Sequence, residues 1–176
     1  EQQDGTGWFR HCAFLPQNDP YTHTLAYTSE GLLECGTLLE QSDLVAAAQK
    51  TADALMNFQR SDGSLAGTYG PEWSRPTGWS CLTGNCQMAR LWLRLYQITN
   101  EPFYLDAAQR AIDFVVSVQD IKTSNLNLRG AIPGSQPLWG KYERFKMPNW
   151  AAKFFIDAIL QMAEIESDEK VIVQPG

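Results

Sequence analysis

His23, Tyr27, Glu30 and Glu34 fall at i, i+4, i+7 and i+11. If the segment is helical, an imidazole, a phenol and two carboxylates share one face. His23, Tyr27 and Glu30 are therefore candidates for a general acid/base cluster. A second set of residues is aromatic. Tyr69, Trp73 and Trp79 crowd one segment, and Trp139, Tyr142 and Trp150 another, among Gly, Pro, Ser and Asn rather than in helical periodicity. Flat rings beside hydrogen-bonding groups suit the C–H faces and hydroxyls of sugars, whereas the plainer reading is that they plug loop ends onto helices. Trp73, Trp79, Trp139, Tyr142 and Trp150 are the stacking candidates, and Asn85, Gln87, Asn149 and Lys153 could donate hydrogen bonds. Lys141, Arg129 and Arg144 would suit an acidic sugar or a phosphate.

The same polar stripe has a structural reading. Thr83, Gln87, Arg90 and Arg94 repeat the spacing on a second segment, and Asn149, Lys153 and Asp157 on a third. Neighbouring parallel helices would then carry an ion-pair belt, with Glu30 and Glu34 against Arg90 and Arg94 and with Lys153 and Asp157 extending it. His11, Cys12, His23, Cys81 and Cys86 could in principle hold zinc. The C-x4-C spacing of Cys81 and Cys86 matches no common zinc or redox motif, so the expectation is free thiols, with neither metal nor cofactor. Cys35 lies in an apolar helical pattern and is expected buried.

The elements that must position these residues form a repeat. "AAQKTADALMNFQ" (47–59) aligns without a gap on "AAQRAIDFVVSVQ" (107–119), and "HTLAYTSEGLLECG" (23–36) on "TGNCQMARLWLRLY" (83–96), both at an offset of 60 residues. "PNWAAKFFIDAILQMAEI" (148–165) follows at an offset of 64 when Asn149 is laid on Asn85. Apolar residues recur every three or four positions, as Leu44, Ala47, Ala48, Ala52, Leu55 and Phe58 do. The spacing predicts inner helices over about 23–39, 83–99 and 149–165 and outer helices over about 43–59 and 102–119. Residues 1–166 form the folded unit and 167–176 a tail. Ser42 is the expected N-cap of one outer helix, with Asp43 at its positive end, and Asn100 that of the other, with Pro102 in its first turn. The fold class is all-α: helical hairpins joined by long Gly/Pro/aromatic loops, whose length points to function.

Paired helices of this repeat length, ending in Q-x3-G-x-(apolar or Trp), resemble the α/α-toroids, the architecture of terpenoid cyclases, protein prenyltransferase β-subunits and many carbohydrate-active enzymes. Gln59, Gly63 and Leu65 fit the cyclase-type repeat with Leu for Trp. At the N-terminus Glu1 stands in the Gln position, Gly5 fits, and Trp8 arrives one residue late. "HTLAYTSEGLLECG", "WSCLTGNCQMARLWLRLY" and "RGAIPGSQPLWGKY…PNWAAKFFIDAIL" are similar to the C-terminal half of toroid proteins that accompany bacterial surface-polysaccharide genes. The resemblance, from about Trp8 to Ile165, implies roughly half a toroid, closed by a missing N-terminal half or by a second copy. It implies a carbohydrate-related protein that binds or processes a glycan in polysaccharide synthesis or modification, by glycoside hydrolase, lyase or epimerase chemistry. The alternatives are a non-catalytic glycan-binding or scaffold toroid, and a zinc toroid of the prenyltransferase or lanthionine-cyclase type. The D-x-D-D and D-D-x-x-D motifs of isoprenoid chemistry are absent. Trp79, Cys81, His11 and Cys12 imitate the lanthionine-cyclase zinc set only loosely, with Ser80 and a reversed His–Cys order against it.

The net charge of −6 argues against nucleic acid and anionic membrane surfaces as partners. No apolar run reaches the roughly 18 residues of a membrane span. Reduced cysteines point to a cytoplasmic compartment.

Overall fold

The computed structural model describes residues 2–173, with the helical backbone alone over 169–173. It contains α1 (Thr22–Leu38), α2 (Ser42–Asn57), a two-residue strand β1 (Ser80–Cys81), α3 (Leu82–Thr99), α4 (Pro102–Val118), a partner strand β2 (Ser135–Gln136) and α5 (Asn149–Val173). Helix α3 is central. It packs between α1 and α5, while α2 covers α1 and α4 covers α3. Its Leu82, Met88, Leu91, Trp92 and Leu95 are all buried, and the Trp92 indole donates to the Ala52 carbonyl of α2 at 3.1 Å.

Cross-helix rungs set the heights of the inner helices. Arg90 meets Glu30 at 2.7 Å and Arg94 meets Glu34 at 2.9 Å, both 60 residues apart. His23 meets Gln87, and Gln161 meets Gln97, both 64 residues apart. A spacing that stays nearly constant from rung to rung requires parallel helices. The expected ion-pair belt is therefore present, and Asp157 joins it, at 2.6 Å from Lys153 and 3.8 Å from Arg90. Where α1 and α3 begin, Gly84 lets the backbones touch: a Cβ there would stand 2.7 Å from the His23 nitrogen.

The N-terminal turn and the turn after α2 are built alike. The Gln59 amide donates to the Gly63 carbonyl at 3.1 Å and to the Ala107 carbonyl of α4 at 2.9 Å. The Gln3 amide donates to the Gly7 carbonyl at 3.4 Å and to the Ala47 carbonyl of α2 at 2.7 Å. Gly7 and Gly63 both have positive φ, at 89° and 85°, and each takes a helix carbonyl, from Lys50 and Arg110, where a side chain would be. This corrects the register of the N-terminal copy: Gln3, Gly7 and buried Phe9 match Gln59, Gly63 and Leu65, in place of Glu1, Gly5 and Trp8.

Other expectations shift. Helix α5 continues to Val173 instead of ending near Ile165, because neither Gly nor Pro occurs from Asn149 to Gln174 and a polar run does not by itself stop a helix in water. Of the expected tail, 174–176 lie outside the described residues. Gln41, not Ser42, precedes the first turn of α2. Asn100 closes α3 in the left-handed conformation, its N–H bonded to the Tyr96 carbonyl at 2.7 Å, and leaves Glu101 to open α4. Cys35 is exposed rather than buried, in line with exposed Tyr27 and Gly31 along α1.

Candidate functional site

The loops before α1, α3 and α5 converge at one end of the bundle. Strands β1 and β2 pair Ser80 with Gln136 and Cys81 with Ser135. Arg60 reinforces this junction by donating to Ser64, to Ser80 and to the Thr77 carbonyl. Buried Ser135 bonds the Tyr142 backbone in both directions, so the 135–142 loop is fixed over the start of α1.

The result is a concavity of about 330 Å³ lined by Phe14, His23, Tyr27, Tyr142, Glu143, Trp150 and Phe154. Tyr27 stands edge-on to His23 at 5.3 Å and to Phe154 at 5.8 Å. Tyr142 lies 5.4 Å from the imidazole, and Phe14 6.3 Å. The Trp150 indole donates to the Tyr142 hydroxyl at 2.9 Å. Burial pushes that phenol up to about 12, so it stays protonated and can donate.

His23 is oriented by a 2.6 Å hydrogen bond between Nδ1 and Oε1 of Gln87, a residue with no exposed surface. With an amide oxygen facing Nδ1, the ring hydrogen sits there and Nε2 carries the lone pair. Burial lowers the His23 pKa, and the Gln87 bond only partly opposes it. The imidazole is therefore neutral at neutral pH and able to accept a proton. Among the described residues Gln87 Nε2, buried on α3, has no hydrogen-bond partner.

The structure thus brings His23, Tyr27, Tyr142 and Trp150 together, and Gln87 supports them from below. Glu30 does not join them. It faces the adjoining groove, paired with Arg90, and burial raises its pKa against the pull of Arg90 and Lys153. Lys153 lies over the Phe154 ring at 4.4 Å with Asp157 as its counter-ion. Trp79 is in the next hollow, about 550 Å³, with Tyr21, Thr68, Arg75, Thr77 and Lys141. Tyr21 divides the two hollows, 6.0 Å from Trp79 and 5.3 Å from Tyr142. Trp139 and Asn149 are exposed outside both.

Two candidates are structural. Trp73 is buried against Phe58 and Tyr69, and its indole donates to the Thr6 carbonyl at 2.9 Å. A turn with positive φ at Glu72 and Trp73 swings the ring inward. Asn85 is buried between the Leu65 N–H and the Cys81 carbonyl, to which it bonds at 3.0 and 2.8 Å.

Phe14, Tyr21, Glu143 and Phe154 were missed. Phe14 and Tyr21 stand among prolines and asparagine just before α1, the same context that marks Trp79 and Tyr142. Glu143 is the carboxylate of the concavity, tied to Lys146 at 2.9 Å. Among the described residues no three His, Cys, Asp or Glu side chains form a metal-holding group. Cys81 caps α3, accepting from the Gly84 N–H, and burial pushes its thiol up to about 12. Cys12 contacts Thr28 at 3.3 Å. No helix of the described residues is long and apolar enough to cross a membrane.

No protein-family model matches the chain, and no curated protein matches it. Solved structures do. A family 76 glycoside hydrolase from a bovine Bacteroides thetaiotaomicron strain superposes with a TM-score of 0.67 at 15% identity, over 89% of this chain and 33% of that one. The unsaturated glucuronyl hydrolase of Bacillus sp. GL1 gives 0.68 at 16%, over 92% and 48%. A possible GH105 family member from Salmonella enterica serovar Paratyphi A gives 0.64 at 13%, over 91% and 45%. The chain thus spans a third to a half of the length of these structures. At such identities the likeness establishes architecture: the five helices are a helical-hairpin segment of an α/α toroid, and the concavity lies at the end where its inner helices begin.

Proposed function

We propose that this chain is the ligand-binding part of a carbohydrate-related toroid that takes a glycan in the Phe14–His23–Tyr142–Trp150 concavity. The observation that carries the reading is the ring of aromatic faces around a neutral imidazole fixed by buried Gln87. Aromatic faces receive sugar C–H surfaces, while His23, the Tyr142 hydroxyl and Glu143 supply an acceptor, a donor and a carboxylate for the hydroxyls. Three solved structures of the same architecture named as glycoside or glucuronyl hydrolases support the substrate class. His23 is the base of any proton transfer and Tyr27 shapes its approach, while Glu30 serves the ion-pair belt instead. The work of such a site is synthesis or modification of a bacterial polysaccharide in the cytoplasm, within a ring completed by an N-terminal half or a second copy.

One observation favours a non-catalytic glycan-binding toroid as the second reading. Hydrolysis by the usual route needs two carboxyl groups flanking the bond, and Glu143 is the carboxylate of this concavity, already paired with Lys146. Calorimetric titration with an oligosaccharide panel, followed by product analysis, tests both. Binding with turnover that His23→Ala abolishes supports the enzyme, and binding without turnover supports the module. No binding by any oligosaccharide, with the fold intact, rejects the glycan reading.

A further inference from the structure

The turn that follows α4 repeats the first two turns but, among the described residues, lacks their partner. Gln119 donates to the Gly130 carbonyl at 2.6 Å, Gly130 has φ of 80°, and Ile132 is buried two residues on. These match Gln59, Gly63 and Leu65, and Gln3, Gly7 and Phe9, with a longer loop inserted. In the first two turns the Gln amide also reaches a carbonyl of the next outer helix, at Ala107 or Ala47. The glycine of each receives a second carbonyl, three residues further along, from Arg110 or Lys50. Gln119 makes only its bond within the turn, and a Cβ on Gly130 would meet nothing closer than Gln119 Nε2, at 3.9 Å, among the described residues. On the inner helix that follows, α5, Ile156 and Ile159 are exposed, one turn apart, at 55% and 40%. Inner helices α1 and α3 each have an outer helix packed along them; among the described residues α5 has none.

We propose that the Gln119–Gly130 turn and the Ile156–Ile159 face of α5 form a docking site for one further outer helix of this same polypeptide. The occupant is amphipathic and of the α2/α4 kind. It places alanine where its carbonyl takes the free Gln119 hydrogen, and three residues later it lays a second carbonyl on Gly130. The two filled copies define this pattern as Ala47, Ala48, Gln49 and Lys50 in α2 and Ala107, Ala108, Gln109 and Arg110 in α4. Source within the same polypeptide follows from the solved toroids, whose single chains are two to three times the span matched here. The inference rests on the repeat grammar and not on the glycan reading.

The test appends a Gly/Ser linker and a copy of residues 101–118 to the full 176-residue chain. Tethering makes docking intramolecular, so a weak site is still filled. The expected result is a rise in Tm of about 5 °C over a tether carrying a scrambled helix of the same composition. Gly130→Val should remove the rise, each Tm being compared with that of its own untethered parent, and Gln119→Leu should reduce it. No rise, an equal rise with the scrambled helix, or a rise intact in both variants would overturn the proposal. So would an untethered dimer that Gly130→Val dissolves, since the occupant would then be a second copy.

Discussion

The same three inner helices carry two very different surfaces. At their N-terminal end, aromatic loops close over His23, and burial decides its protonation. One to three turns further on, Glu30, Glu34, Arg90, Arg94 and Asp157 line a half-open groove of about 410 Å³, where carboxylates and guanidinium groups face one another as ion pairs although burial still raises Glu30. Side-chain exposure there is 24% for Arg90 and 22% for Glu30, rising to 35% and 43% for Arg94 and Glu34. Desolvation thus persists from His23 to the Glu30 rung and weakens at the Glu34 rung, where water enters. A shared scaffold does not give its polar residues a shared chemistry; their depth below solvent sets it.

Four expectations would break or sharpen this contrast. The largest concerns Arg90→Met, which strands Glu30 without its partner in a mostly buried place. We expect a loss of about 1–3 kcal/mol, between the values for exposed and fully buried pairs, read by denaturant unfolding. A loss below about 0.5 kcal/mol would mean that water screens the whole groove.

Second, Tyr142→Ala removes a wall of the concavity and the acceptor of the Trp150 indole. Glycan affinity should fall about tenfold or more, corresponding to about 1.4 kcal/mol, with helical circular dichroism retained. Trp79→Ala, in the neighbouring hollow, should weaken binding less. Unchanged titration curves for both would end the stacking assignment.

Third, Glu34→Gln touches the exposed rung and should cost about 0.2–1 kcal/mol, an effect that shrinks at high salt. A cost equal to that of Arg90→Met would contradict the gradient.

The smallest effect is the pH dependence, where the two surfaces act with opposite sign. The folded pKa of His23 lies below its ordinary value of about 6.5, so the unfolded chain binds more protons there. Its contribution is intact above about pH 6.5 and is lost as pH falls toward the folded value. The folded pKa of Glu30 is raised from about 4.3, so its contribution is present below that pH and is lost as pH rises through the folded value. Differences in Tm between the wild type and His23→Gln, and between the wild type and Glu30→Gln, should slope in opposite directions. Parallel slopes would refute the contrast.

How much of this was legible depended on repetition. The rungs Glu30–Arg90 and Glu34–Arg94 followed from helical spacing and a 60-residue offset, because parallel neighbours place equal offsets at equal heights. The same alignment, which sets each loop at the start of an inner helix, makes the approach of the 139–150 loop to His23 legible but equally suggests the 69–79 loop, whose Trp79 lines the neighbouring hollow instead. Segments present once were not. The inward swing of Trp73 depends on positive φ at two residues that do not favour it, and Phe14 reaches the site through an N-terminal loop with no second copy to align. The register of the first turn is ambiguous in sequence because Trp8 and Phe9 are adjacent and both buried, and only the backbone shows that Phe9 fills the apolar place.

The tie between β1 and β2 has a consequence in time. Each helical hairpin closes locally, through loops of a few residues, and can form within microseconds. The concavity instead joins Phe14 and His23 to Tyr142 and Phe154, so the chain entropy of a very long closure is lost before those contacts are gained. The helices should therefore gain hydrogen-exchange protection early in refolding, and the aromatic end should be the last part of the molecule to become native.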